Sequence, residues 1–226
     1  MSRGRGHSKD VLSSQKSLWE LSDVKTESRK FDPQWPVATS KLFKEAYPAC
    51  GAEISDCSEE RLYRMVTGYR DAADLLVAEG DTYSHVHDKV VYPIVFLYRQ
   101  AIELHLKYML MAYGPKTGVA PNFRSHNLTD LWSNYMQMID ALMPDLIAED
   151  RLVFHEIGQH VAEFGIVDPR SDALRFAHDT QGNLINIAVD VIDLPNLRSV
   201  IAGIFDFLEC VDWSLRNDYG LTQSRF

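Results

Sequence analysis

VVYPIVFLYRQAIELHLKYMLMAY, from Val90 to Tyr113, is almost entirely apolar, with one thin line of charge running along it. At about 100° per residue, Arg99, Gln100, Glu103 and Lys107 share one stripe of a helix. Glu103 stands four residues from both Arg99 and Lys107, the spacing at which opposite charges meet along a helix. Ile94, Leu97, Tyr98, Ala101, Ile102, Leu104, Tyr108 and Met109 fill the rest of the wheel, and His105 projects among them on the far side from the stripe. A helix apolar around most of its circumference belongs at the centre of a core or at an oligomer interface.

Helical patterns flank this segment on both sides. Ser58, Glu59 and Glu60 form a helix start, with acidic residues near the positive end of the dipole. Leu62, Met65, Val66, Tyr69, Ala72, Ala73 and Leu76 then recur at helical spacing through Ala78, until Gly80 and Asp81 close the helix. Asp88 or Lys89 begins the central helix, with Pro93 in its first turn, and Gly114 and Pro115 end it. A third helix spans residues 127–142, and Pro144 opens a fourth that reaches Phe164. Residues 165–183 are irregular, and Leu184–Ile192 alternates enough for a short strand or an extended stretch. Asp193 caps a last helix with Pro195 in its first turn and Leu197, Val200, Ile201, Ile204, Phe205, Leu208 and Val211 on its face. Residues 1–57 are an N-terminal arm, draped through Phe31 and Trp35, with a short helix within Leu42–Ile54; residues 58–217 form the bundle and 218–226 a tail. The expected fold is all-α: a four- to five-helix up-and-down bundle with an irregular insertion before its last helix.

Composition narrows the function classes. The chain has 226 residues, enough for one domain with a sizeable core. Its net charge of −9 is uneven, because residues 1–40 hold seven Lys/Arg against five Asp/Glu and the body carries the deficit. An acidic body opposes broad contact with a phosphate backbone, so DNA is not an expected partner. The basic start MSRGRGHSK reads as a disordered tail. Cys50, Cys57 and Cys210 are an odd set without CxxC spacing, which fits a reducing cytoplasm. The longest apolar run stops at Arg99, too short to cross a bilayer.

Five motifs invite a chemical reading. His85-Val86-His87-Asp88 falls one residue short of HxHxD and reads as a solvated turn and helix cap. His155 and His160 diverge by about 140° on a helix, so the stretch is not a zinc-binding HEXXH. Glu156, His160 and Glu163 share a face but find no matching ligands elsewhere, and neither a metal nor a cofactor is expected. Ser125-His126-Asn127 sits at a helix start, with Asn127 a natural N-cap and His126 beside it. The insertion Asp168–Asp179 gathers charge, an aromatic and a histidine in a loop, where functional residues concentrate. Arg175 reaching back to Glu103 is its structural reading. The fifth motif is Arg99-x5-His105, a charge stabiliser and a general acid/base fit for metal-independent RNA cleavage. On one helix the two lie about 120° apart, so another helix or a second subunit must complete such a site.

FLYRQAIELHLKYML, SHNLTDLW, DALRFAHDTQGN and VDVIDLPNLRSVIAGIFDFL together resemble bacterial HEPN-like proteins, over roughly residues 60–210. That resemblance implies a dimerising up-and-down bundle, acting in bacterial defence or stress as a ribonuclease or an RNA- or nucleotide-binding effector. Arg99 and His105 match the letters of the family's R-x4–6-H motif, with Arg175 and His178 next in line. The motif falls, however, on the helix that resembles the earlier R-x-x-x-E-x-x-x-K signature, through Glu103 and Lys107, and the loop lacks the family's proline. The competing expectation is a non-catalytic homodimeric interaction module in which Arg99, Glu103, Lys107, His126 and Arg175 form a structural polar network.

Overall fold

A computed structural model describes residues 35–36, 38–43, 51–80, 84–120 and 122–217. The chain divides into two compact units, Met1–Ala52 and Glu53–Phe226. Within the first, Trp35, Leu42 and Phe43 are exposed; the described residues of Leu42–Ile54, which runs into the second, are not helical. Phe31, Cys50, residues 1–9 and the expected tail at 218–226 lie outside the described residues.

Among its described residues the second unit is a helical bundle of five helices: α1 Ser58–Gly80, α2 Ser84–Thr117, α3 Leu128–Leu142, α4 Ala148–Val167 and α5 Leu194–Asn217. It begins ahead of the expected boundary at residue 57, because the chain leading into α1 is tied to that helix. Ser55 Oγ donates to Glu60 Oε2 (2.6 Å), and Arg61 Nε donates to the Ser55 carbonyl (2.6 Å).

α2 starts earlier and ends later than its sequence pattern suggests. It runs through Pro93, which denies the Lys89 carbonyl its usual intrahelical donor, but both residues face outward. It also continues through Gly114 and Pro115 to Thr117, whose Oγ1 donates to the Gly114 carbonyl (3.0 Å). A Cβ on Gly114 would stand 2.2 Å from the Val119 carbonyl oxygen, so only glycine admits the chain's return at this corner.

Asn127 caps α3 as its residue type dictates, its Oδ1 accepting from the Thr129 and Asp130 amides (2.9 and 3.3 Å). Pro144 does not open the fourth helix. It sits in a turn between Met143 and Ile147, and α4 begins at Ala148 and extends to Val167. Leu184–Ile192 forms no strand; its alternating side chains find a single bridge, His178 to Leu184, and Ile187 and Ile192 pack on the core instead. Asp193 caps α5 by accepting from the Asn196 amide (3.0 Å).

α2 is the hub. Ile94, Tyr98, Ala101, Ile102, Leu106, Met109, Leu110 and Tyr113 are fully buried along it. α1, α3 and α5 pack around it, and α4 packs against α3. Complete burial of one aliphatic side chain contributes about 1.5–3 kcal/mol, so this face dominates the core. No helix among the described residues is long and apolar enough to cross a membrane.

Candidate functional site

The polar stripe of α2 is buried. Arg99, Glu103 and Lys107 are 1%, 0% and 4% exposed, and their charges meet one another before anything else. Arg99 Nη1 donates to Glu103 Oε2 (3.0 Å) and Lys107 Nζ to Glu103 Oε1 (2.8 Å), the two i,i+4 contacts that the spacing predicts. The remaining donors reach the connector ahead of α3. Arg99 Nη2 donates to the His126 carbonyl (2.6 Å), Lys107 Nζ to the Phe123 carbonyl (3.1 Å), and His126 Nδ1 lies 2.9 Å from Glu103 Oε1. Burial pushes the Glu103 carboxyl up, but Lys107 and then His126 outweigh it and hold its pKa below the ordinary value.

A second carboxylate completes the network. Asp168, fully buried at the end of α4, places Oδ2 3.8 Å from Arg99 Nε. This is a charge contact without a hydrogen bond, since neither atom has a hydrogen-bond partner. The other Asp168 oxygen accepts from the Asp172 and Ala173 amides (2.8 and 3.0 Å), folding the start of the insertion against α2. Two cations and two carboxylates therefore balance inside the bundle and hold both connectors.

Arg175 does not reach Glu103. Its Nε donates to the Ser171 carbonyl (2.6 Å), and its guanidinium lies over the rings of Phe96 and Phe176 (5.7 and 5.3 Å). The insertion meets the α2 stripe through Asp168 beside Arg99 instead, while Glu103 already has Lys107, Arg99 and His126 around it. His178 is exposed in a turn pinned by Asp179, whose Oδ1 accepts from the Gln181 and Asn183 amides (2.8 and 2.9 Å). The DTQGN segment is accounted for by that turn.

His105 faces the other way. Its ring meets the edges of Tyr108 and Phe205 (centroids 6.0 and 5.7 Å), and it lines a cavity between α1, α2 and α5 to which Arg99 does not contribute. Burial pushes its pKa down to about 4, outweighing the opposing Asp212 charge. The chain thus does not bring Arg99 and His105 together.

A second polar cluster, absent from the sequence expectations, lies on this side. Arg216 Nε and Nη2 donate to the two oxygens of Asp212 (2.9 and 2.7 Å), Nη2 also reaches the Tyr108 hydroxyl, and the Tyr113 hydroxyl donates to Asp212 (2.5 Å). Its signal was present as an Asp–Arg pair at i,i+4 in DWSLR, beyond Val211 where the apolar face was taken to end. His160 Nδ1 approaches Glu163 at 3.1 Å on the surface of α4. Among the described residues no three His, Cys, Asp or Glu side chains gather as metal ligands.

Comparison with protein-family models, with curated proteins and with solved structures finds no match to this chain.

Proposed function

We propose that this chain is a non-catalytic, dimeric interaction module whose α2 charge network fixes the two connectors that shape its surface. The observation that carries this reading is the occupation of Arg99: three donor positions face Glu103, the His126 carbonyl and Asp168, all supplied by the chain itself. A guanidinium so enclosed, at 1% exposure, has no edge to offer a phosphate. For pairing with a second copy, the supporting feature is α4, which buries Phe154, Val161 and Phe164 yet leaves Leu152, Val153 and Ile166 exposed.

The competing reading is RNA cleavage in a defence or stress role, with Arg99 and His105 as its catalytic pair and Arg175 and His178 behind them. It rests on motif lettering and the HEPN-like resemblance. One preparation tests both. Full-length protein incubated with total RNA leaves it intact, and equilibrium sedimentation returns twice the 25.8 kDa chain mass. RNA cleavage that disappears in His105→Ala overturns the non-catalytic reading, and a single-chain mass overturns the dimeric one.

A further inference from the structure

His105, left over once the α2 stripe is explained, lies in the wall of a cavity of about 230 Å³ bounded by α1, α2 and α5. Beside His105, the cavity has three aromatic walls, Tyr63, Tyr108 and Trp213, and polar ones from Thr67, Glu209, Asp212 and Arg216. Its volume is below the range usual for drug-sized ligands, leaving room for a single ring system.

Two independent features point to what fits. The first is the imidazole. His105 Nε2 is hidden from solvent and has no hydrogen-bond partner, and a buried polar atom left unpaired costs free energy that a ligand donor or acceptor can recover. The second is charge. Arg216 is matched by Asp212 through two hydrogen bonds (2.9 and 2.7 Å), and Glu209 at the rim is matched by Arg70 (2.8 Å). A charged ligand entering this balanced wall gives up hydration without gaining a free counter-charge. Aromatic walls favour flat rings, through stacked or edge-to-face contacts.

We propose that the cavity between α1, α2 and α5 binds one uncharged, planar, hydrogen-bonding heterocycle of about two fused rings, with His105 as its polar anchor and Tyr63 and Trp213 as its ring contacts. The neutral state of His105 at ordinary pH, a consequence of its burial, agrees with a ligand that carries no charge. This site stands on the opposite face of α2 from the Glu103 network and does not depend on it.

The test is histidine-resolved ¹⁵N NMR of the full chain, titrated with adenine as a neutral bicyclic probe and benzoate as an anionic one. Adenine is expected to move the His105 ring signals saturably, while benzoate leaves them in place. Because His105→Phe perturbs the core, the exposed Trp213→Ala serves as a second variant, and it is expected to weaken adenine about tenfold, the effect of losing one ring contact. His105 signals unmoved by adenine, equal movement with benzoate, or unchanged affinity in Trp213→Ala overturns the proposal.

Discussion

Glu103 serves three partners with two oxygens, and this explains why a carboxylate tolerates the centre of the bundle. Lys107 and His126 share Oε1, and Arg99 takes Oε2. His105, two residues on, lacks such compensation. Its pKa falls from 6.5 to about 4 by burial, with Asp212 and Arg70 as opposing charges nearby and Tyr108, Phe205 and Arg216 around it. Between those values the unfolded chain binds a proton at this ring and the folded chain does not. Stability therefore rises with pH across the window, and acidification from 6.5 to 4 removes about 3 kcal/mol through this one group. The Glu103 contribution follows the same direction but lies lower, being lost only as pH drops below the ordinary carboxylate range. Urea unfolding of His105→Phe should show a flatter pH slope than the parent between pH 6.5 and 4. Parallel slopes would contradict this account.

At the scale of elements, the helices were legible where a single local cause decides them. Asn127 before α3 and Asp193 before α5 announce their helices by capping chemistry, and both act as their residue types predict. The starts of α2 and α4 were not legible, because Pro93 and Pro144 are locally ambiguous and burial decides between their roles. Pro93 is carried inside α2 by the apolar residues around it, whereas Pro144 turns the chain. The polar stripe was readable from i,i+4 spacing, but its fourth charge was not: Asp168 lies 69 residues beyond Arg99 in sequence and joins it only through the packing of α4. That packing depends on Gly158. A Cβ there would stand 2.4 Å from Trp132 Nε1, so α4 approaches α3 through the missing side chain. Gly158→Ala should gain helix propensity yet lose about 1–3 kcal/mol to overpacking, measured by chemical denaturation. A net stabilisation would show that α3 and α4 separate without cost.

For the molecule as a whole, α2 divides two kinds of polar chemistry. One face closes its charges against the connectors at 122–127 and 168–173, and the other presents His105 and the Arg216–Asp212 pair to a cavity. In the proposed reading the first face is structural: it holds the bundle's loops. Thermal unfolding of Glu103→Ala tests it most directly. Removing that carboxylate leaves Arg99 and Lys107 buried beside each other, and losing one partner of a buried ion pair costs about 3–5 kcal/mol, equivalent here to a Tm lower by about 10 °C. A Glu103→Ala protein that melts within about 2 °C of the parent would contradict the account.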